Sequence, residues 1–283
     1  MATFYNQAVL SYNGNTTTSN ITTGEIVQVL SATKTAVSEE YSAGDTVTYV
    51  VNIINSGATA FTGLTLTDNL GAYAFDALTL TPLTYTEGSL RYFENGVLRP
   101  APTVTATEPL TVTGISVPAG GNTAIVYEVR TNGFAPLEAG AVITNQATVS
   151  GTNISPITVE ETVAAASEPN LTISKSLSPA TVTENGRLTY TFVIQNTGSA
   201  PAAATDNVVV TDTFNPALSG ITVTAGGETW AEGVNYTYDE ATGLFATVAG
   251  QITVPAATYT RDPATGAVVV NPGVTVLTVT GTV

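Results

Sequence analysis

An internal repeat of β-patterned sequence is the feature that most constrains the fold of this chain. Three segments of the first half recur, in the same order, in the second half: SATKTAVSEEYSAGDTVTYVVNIINSG (31–57) resembles TISKSLSPATVTENGRLTYTFVIQNTG (172–198), GLTLTDNL (63–70) resembles NVVVTDTF (207–214), and GNTAIVYEVRT (121–131) resembles GVTVLTVTGTV (273–283). Because a self-similar chain builds one structural unit more than once, the sequence predicts two copies of one domain.

Each copy has the residue pattern of a β-sandwich. Short runs of Val, Thr, Ile and Tyr alternate between apolar and polar residues, and Gly, Asn, Asp or Pro separate the runs. Hairpin turns ending in glycine are expected at FENG (93–96), YDEATG (238–243) and RDPATG (261–266). The length of 283 residues fits two sandwiches, predicted at 25–158 and 168–283 with a linker at 159–167.

Composition excludes several classes of function. The net charge is −15 with seven basic residues, so nucleic acid and anionic membranes are poor partners. The chain has no His and no Cys, which excludes disulfides, thiol nucleophiles, the usual zinc sites and Ser-His-Asp catalysis. A glycosidase would need paired carboxylates, and the loop acids Asp239, Glu240 and Asp262 offer no such pair. We expect no enzyme acting on an external substrate, and neither a cofactor nor a metal ion.

The first residues of the chain resemble the last strand of the first repeat. YNQAVLSYNGN (5–15) matches TNQATVSGTNI (144–154), whereas the second repeat contains no counterpart of this strand. We therefore predict that residues 1–24 comprise a donor strand at 3–13 and a polar tether, and that this strand completes the second sandwich of a neighbouring molecule. Two alternatives stay open: the match arises by chance, or the strand folds back onto its own first domain.

The only two lysines, Lys34 and Lys175, occupy equivalent positions in the first strand of each repeat. Side chains two residues apart on a strand share a face. Each lysine is in phase with apolar neighbours: Leu30, Ala32 and Ala36 for Lys34, and Leu171, Ile173 and Leu177 for Lys175. Both lysines are therefore predicted to face a core, where an ammonium group is costly unless it is paired or loses its proton. The alternative is that each lysine extends along its strand to reach solvent.

The same phase test places two acids and two amides in the cores. Each of them alternates with apolar residues: Asp68 with Leu64, Leu66 and Leu70; Asp212 with Val208, Val210 and Phe214; Asn145 with Ile143, Ala147 and Val149; and Asn6 with Phe4, Ala8 and Leu10. Each sandwich would then hold an inward Lys, Asp and Asn, the second Asn coming from another chain. The alternatives are that the acids anchor the turns that follow them, and that Asn145 is an ordinary polar residue in a bulge.

A Lys, an Asp and an Asn in an apolar shell have a specific chemistry. Burial lowers the pKa of a lysine and raises that of a carboxylic acid, which gives a neutral amine and a protonated acid. The amine attacks the carboxamide carbon, the acid transfers the protons and ammonia leaves, so that a Lys–Asn isopeptide bond forms. The fold accelerates this single-turnover reaction by holding the reacting groups together.

The motifs GDTVTY (44–49), N-x-G (55–57), TD-x-L (67–70) and N-x-A-x-V (145–149) resemble the immunoglobulin-like conserved-repeat domains of bacterial surface proteins. The Lys/Asp/Asn set also resembles that of the self-crosslinking domains of Gram-positive pilins and adhesins. The resemblance implies two tandem immunoglobulin-like β-sandwiches, with Lys34, Asp68 and Asn145 as a site within the chain. It implies a second site between chains, formed by Lys175 and Asp212 of one subunit and Asn6 of the next.

The expected function is that of a structural subunit of an extracellular filament on a bacterial cell or spore. Subunits would form a head-to-tail homopolymer by donor-strand complementation, reinforced by isopeptide bonds. The chain departs from the pilins above in showing no sorting signal, and it shows neither a signal peptide nor a run of about 18 apolar residues. No membrane span is therefore predicted, and the export route and any external ligand stay open. The alternative function is a monomeric stalk or a ligand-binding adhesin module.

Overall fold

The computed structural model describes residues 2–26, 28–152 and 154–283. Met1, Val27 and Asn153, which fall within the predicted ranges 1–24 and 25–158, lie outside the described residues. In the described ranges the chain consists of strands and loops apart from one 3-10 helix at Ala204–Asp206. The predicted all-β fold is confirmed. No helix in this part of the chain is long and apolar enough to cross a membrane.

Residues 2–26 form one long antiparallel hairpin, here called the N-terminal ribbon, and each of its two arms contains two short strands. Its strands are β1 (Ala2–Asn6), β2 (Val9–Tyr12), β3 (Asn15–Thr18) and β4 (Thr22–Ile26). Strand β1 pairs with β4 and β2 pairs with β3, across a turn at Asn13 and Gly14 whose φ angles are 45° and 82°. Positive φ at both central residues is the geometry of a type I′ hairpin, which Asn-Gly favours. The predicted polar tether therefore forms strands, because this turn folds the Thr-rich segment back onto the predicted donor strand.

The first sandwich consists of two six-stranded sheets that enclose one apolar core. Its strands are β5 (Leu30–Ala36), β6 (Glu40–Tyr41), β7 (Thr46–Asn55), β8 (Phe61–Asp68), β9 (Tyr73–Phe75), β10 (Leu78–Leu80), β11 (Leu83–Tyr85), β12 (Arg91–Glu94), β13 (Val97–Arg99), β14 (Thr103–Thr107), β15 (Leu110–Val117), β16 (Asn122–Thr131), β17 (Val142–Ser150) and β18 (Ile157–Ala165). One sheet has the order β13-β12-β16-β7-β5, with β11 also beside β16, and the other has the order β14-β15-β8-β17-β18-β6. The short strands β9 and β10 form a separate hairpin. Side chains that alternate along the strands meet between the sheets, where Tyr49, Leu66 and Ile125 are fully buried.

Strand β18 occupies residues that the sequence analysis assigns to the linker 159–167. The acids Glu160 and Glu161 interrupt its apolar pattern, yet Val163 and Ala165 are buried in the first core. Strand β18 pairs antiparallel with β17 and parallel with β6. The first sandwich therefore extends to Ala165 instead of ending at residue 158, because this hairpin partner of β17 belongs to its sheet.

The second sandwich has a core of its own, with Phe192, Phe214 and Phe245 buried in it. Its strands are β19 (Leu171–Ser178), β20 (Arg187–Asn196), β21 (Thr211–Thr213), β22 (Ser219–Ala225), β23 (Glu228–Trp230), β24 (Tyr236–Asp239), β25 (Leu244–Thr247), β26 (Thr258–Arg261), β27 (Val268–Asn271) and β28 (Gly273–Thr282). A five-stranded sheet of order β19-β20-β28-β22-β23 packs against a three-stranded sheet of order β21-β25-β24. Strands β26 and β27 form a separate hairpin.

The β26–β27 hairpin connects the two sandwiches. Arg261 Nη1 donates a hydrogen bond to the Tyr73 hydroxyl at 2.6 Å, and the Val268 amide donates to the Gly133 carbonyl at 2.8 Å. The Arg261 guanidinium also lies 5.4 Å from the centroid of the Tyr73 ring. These contacts fix the hairpin of the second sandwich against strand β9 and the loop at Gly133 of the first.

Candidate crosslinking sites

The first predicted triad is assembled in the core of the first sandwich. Lys34 lies on β5, Asp68 ends β8 and Asn145 lies on β17, and all three residues are buried. Their inward orientation follows from the two-residue period of a strand. Lys34 Nζ donates to Asp68 Oδ2 at 2.6 Å, and neither side chain has exposed surface. Three strands from two sheets thus bring an amine, an acid and an amide into one apolar site.

Backbone groups of the turn after β8 hold the acid and the amide in place. Asp68 Oδ1 accepts a hydrogen bond from the Leu70 amide at 2.8 Å, and Asn145 Oδ1 accepts one from the Gly71 amide at 3.2 Å. Leu70 and Gly71 have φ angles of 55° and 71°, a tight turn that directs both amides into the site. Asp68 therefore anchors the turn with one oxygen and binds Lys34 with the other.

Burial makes Lys34 a weaker base than an exposed lysine. Desolvation lowers the pKa of Lys34 from 10.5 to about 8, against the opposing effect of the Asp68 carboxylate. The Tyr49 ring lies beside the amine, with 4.5 Å between Nζ and the ring centroid. A large fraction of Lys34 is therefore neutral near pH 8, and the neutral amine is the nucleophilic form.

Tyr127 completes the site, although the sequence analysis did not identify it. Its hydroxyl donates to Asp68 Oδ2, the oxygen that also binds Lys34. Burial holds the pKa of Tyr127 well above its usual value, so this hydroxyl stays a donor. Tyr127 alternates with the buried Ile125 and Val129 on β16, so the phase test that was applied to the lysines predicts that it faces inward.

Two buried polar atoms of this site have no hydrogen-bond partner within the described residues: the Tyr49 hydroxyl and Asn145 Nδ2. An unpaired buried polar group costs about 1–3 kcal/mol. Tyr49 and Asn145 are near enough to influence each other, so their two polar groups face each other in the core without a well-formed hydrogen bond.

The second Lys–Asp pair has the same contact at the equivalent place. Lys175 on β19 lies opposite Phe192 on β20, as Lys34 on β5 lies opposite its partner on β7. Lys175 Nζ donates to Asp212 Oδ2 and lies 4.3 Å from the centroid of the Tyr190 ring. The side chains of Lys175 and Asp212 are 39% and 18% exposed, in contrast to the closed first site.

The second pair is open because one edge of β21 has no partner strand in the described part of the chain. Strand β21 pairs with β25, whereas its equivalent β8 lies between β15 and β17. The inward face of β19 is correspondingly exposed, with 55% exposure for Ile173 and 39% for Leu177. A cavity of about 180 Å³ lies between β19 and residues 208–210. In the first sandwich, the equivalent position is occupied by strands β17 and β18.

The structure does not bring Asn6 to the second pair within one chain. Asn6 lies on β1, where it pairs with Thr22 on β4. Phe4 and Leu10, on the face predicted for the donor strand, are 52% and 62% exposed, and Ala8 between them is also exposed. Among the described residues, no hydrogen bond joins the N-terminal ribbon to either sandwich. The predicted donor strand thus pairs with the predicted tether and leaves its apolar side chains uncovered, instead of folding onto its own first domain.

Comparison with known proteins gives a similarity to bacterial pilins in the solved structures. No protein-family model matches the sequence, and no curated protein matches it. BcpA, the major pilin subunit of Bacillus cereus, is 12% identical with a TM-score of 0.36, and the match covers 95% of this chain and 73% of that one. The pilus backbone RrgB of Streptococcus pneumoniae is 12% identical with a TM-score of 0.35, and the match covers 86% of this chain and 55% of that one. This chain thus spans about half the length of the RrgB structure.

Proposed function

We propose that the protein is a structural subunit of an extracellular filament that assembles by donation of its N-terminal strand. The observation that carries this proposal is the contrast between the two Lys–Asp pairs. Strand β17 closes the first pair, and no strand of the described residues closes the second. An open strand edge beside an apolar groove is where another strand can add. The segment at 5–12 matches β17 in sequence and is exposed.

The pairing of β17 in the first sandwich defines the register of the donated strand. Ala147 lies opposite Asp68 on β8. Since Ala8 corresponds to Ala147 and Asp212 to Asp68, the same register places Ala8 opposite Asp212 of the neighbouring subunit. Asn6 then faces the core two residues away, at the position of the amide in the first site.

Apolar burial drives the association. In the free subunit, Leu10 and Phe4 of the donor and Ile173 and Leu177 of the acceptor groove are all exposed. Burying a large apolar side chain contributes about 1.5–3 kcal/mol. These four side chains are already partly covered, so each contributes less than this full amount, and a new strand–strand ladder adds to them to oppose the entropic cost of association.

The first site would form an isopeptide bond within each chain. Neutral Lys34 Nζ attacks Cγ of Asn145, a C–N bond forms, and the bond from Cγ to Nδ2 breaks. Asp68 receives a proton from the attacking amine and delivers one to the departing nitrogen, which leaves as ammonia. The supporting observations are the Lys34–Asp68 contact, the lowered pKa of Lys34 and the unpartnered Asn145 Nδ2.

The second site would undergo the same reaction between chains, with Lys175 as nucleophile and Asn6 of the neighbour as electrophile. Strand addition would exclude water from the Lys175–Asp212 pair, as β17 does for the first pair. Val279 on β28 stands opposite Tyr190, in the place that Tyr127 occupies opposite Tyr49. Among the described residues no tyrosine hydroxyl donates to Asp212, and we expect the reaction of the second site to be the slower of the two.

Donation from one end of a subunit to the other end of the next is a heterologous contact. Such contacts produce open filaments unless rotation closes the ring. The expected product is a fibre in which the two sandwich types alternate, with a covalent link inside the first sandwich and another across each subunit junction.

Deletion of residues 1–13 tests the proposal. The deletion variant should stay monomeric and form no filaments in electron micrographs, because the groove beside β21 then has no donor. The matched control Asn6→Ala keeps the donor strand and should still form filaments. Filaments from the deletion variant would contradict strand donation, and a full-length chain that stays monomeric at high concentration would favour the stalk or adhesin alternative.

A further inference from the structure

We propose that each subunit donates the whole N-terminal ribbon as a two-stranded hairpin, and that its β3–β4 arm covers β19 of the neighbour. This inference rests on the proposed function and specifies its partner surface: a second copy of this chain, contacted by residues 15–26 as well as by the donor strand. The expectation of a single donated strand joined to a passive tether would then be incomplete.

The first sandwich shows why one strand is not enough. In its sheet, β17 pairs with β8 on one side and with β18 on the other. Strand β5, which carries the lysine, lies beside β18, with Cα atoms of the two strands within 8 Å of each other. The β17–β18 hairpin as a unit therefore spans the distance from β8 to β5.

The second sandwich exposes the surfaces that both strands of this hairpin would cover. A single donated strand equivalent to β17 would pair with β21. In the first sandwich, β18 covers one side of β5. The equivalent side of β19 would stay uncovered if only one strand were donated. Ile173 and Leu177 lie on β19 and are exposed, whereas Leu30 on β5 is buried in the first core. Closing the groove to the same extent requires a second strand.

The N-terminal ribbon has the connectivity of the β17–β18 hairpin. Asn145 on β17 pairs with Glu161 on β18, and Asn6, the equivalent of Asn145, pairs with Thr22 on β4. The register of the ribbon shifts by one residue between the β1–β4 and β2–β3 pairs, around Ser19. The β1–β4 half, which carries Asn6, therefore matches the β17–β18 pairing residue for residue.

Hairpin donation also preserves the backbone hydrogen bonds that pair the strands of the ribbon in the free subunit. A single donated strand would first have to separate β1 from β4 and β2 from β3, and it would leave the released arm unpaired. In hairpin donation those pairs stay intact, and a new ladder forms at the β21 edge.

The outer edge of the donated hairpin has a defined register as well. Strand β18 pairs in parallel with β6, with Ala164 opposite Glu40. On the donor, the equivalent of Ala164 is Glu25. On the acceptor, the equivalent of Glu40 is Thr181, because Thr181 follows Lys175 by six residues and Glu40 follows Lys34 by six residues. Hairpin donation thus places Glu25 next to Thr181 of the neighbouring subunit. Both side chains are exposed in the free subunit.

Engineered disulfides test this register, because the chain has no cysteine of its own. The test pair is Glu25→Cys with Thr181→Cys, and the reference pair is Val9→Cys with Thr211→Cys, which reports the donor strand alone. Both pairs are made in a Lys175→Ala background, so that the disulfide is the sole covalent link between subunits. Assembled protein is oxidised and run on denaturing gels with and without reductant. Variants with one cysteine serve as controls, since they can form dimers but no ladder.

We expect a reductant-sensitive ladder from both pairs. A ladder from Val9→Cys/Thr211→Cys alone would leave strand donation intact and overturn hairpin donation. A ladder from neither pair would contradict the proposed function itself, and with it this inference.

A turn variant gives a second test with opposite outcomes for the two modes of donation. Gly14 has a φ of 82° in the ribbon turn, so Gly14→Val strains the turn and loosens the ribbon. Hairpin donation predicts a longer lag before filaments form, since the donated unit is less ordered. A shorter lag would show that opening of the ribbon limits assembly and would overturn hairpin donation.

Discussion

Lys34 Nζ lies 2.6 Å from Asp68 Oδ2, and both side chains are fully enclosed by the first sandwich. The equivalent contact between Lys175 and Asp212 is open to solvent. The two pairs lie at matching positions of one repeated sequence, so the difference comes from their surroundings. Strand β17 covers the first pair, and the sequence that matches β17 a second time lies in the exposed N-terminal ribbon.

Replacing Lys34 should destabilise the first sandwich strongly. In Lys34→Met, the proposed crosslink cannot form and the buried Asp68 loses its cation, and removing one partner of a buried ion pair costs about 3–5 kcal/mol. Unfolding in denaturant, followed by circular dichroism, measures the change. The double variant Lys34→Met/Asp68→Leu removes both charges and should recover part of the loss. A single variant as stable as the wild type would contradict a buried, functional pair.

Crosslinking of the first site should accelerate as the pH rises towards 8. The pKa of Lys34 is lowered to about 8 by burial, so below that pH the neutral amine is the minority form. Its fraction, and with it the rate of ammonia loss, should increase about ninefold from pH 6 to pH 7 and about fivefold from pH 7 to pH 8. Intact mass at intervals after refolding into buffers of different pH follows the reaction. A rate independent of pH over this range would contradict attack by the Lys34 amine.

Tyr127→Phe should lower stability and slow crosslinking, because it removes the hydroxyl that donates to Asp68 Oδ2. Hydrogen bonds to charged groups contribute about 1.5–3 kcal/mol. The matched control is Tyr49→Phe, which removes a buried hydroxyl without a hydrogen-bond partner in the described residues and should leave stability unchanged or raise it. Denaturant unfolding and the mass-based rate are measured on both. Equal effects of the two substitutions would show that the Asp68 contact is unimportant.

Lys175→Ala should separate assembly from covalent reinforcement. Strand donation does not need the amine, so filaments should still form, but they should fall apart in denaturant because no bond joins the subunits. Asn6→Ala should behave in the same way. Lys34→Ala is the contrasting variant: the proposed bond between chains does not involve Lys34, so filaments of this variant should resist dissociation in denaturant. Lys175→Ala filaments that survive boiling detergent would place the link elsewhere.

The inward position of the three first-site residues could be predicted because side chains on a strand alternate with a period of two. Lys34, Asp68 and Asn145 each stand in phase with apolar neighbours, and the structure buries all three. Alternation predicts which face of a strand a side chain lies on, but it does not predict which side chain of the opposite sheet that side chain contacts. The contact from Tyr127 to Asp68 joins strands from opposite sheets and could not be deduced from phase alone.

The N-terminal ribbon and β18 were not predicted, for two different reasons. The Asn13–Gly14 turn is a strong hairpin signal, but the segment after it is rich in Thr and polar, which favoured a tether. In β18, Glu160 and Glu161 interrupt the apolar pattern, and the strand is fixed by pairing with β17 and β6. Both elements depend on a partner strand more than on their own composition.

Intact mass and a denaturing gel of assembled protein boiled in detergent test the central claim most directly. The account predicts a ladder of covalent oligomers, in which each chain has lost one ammonia at the first site and each junction one more. A single monomer band lighter by one ammonia would confine crosslinking to Lys34 and Asn145. A monomer of unmodified mass would contradict the crosslinking chemistry at both sites.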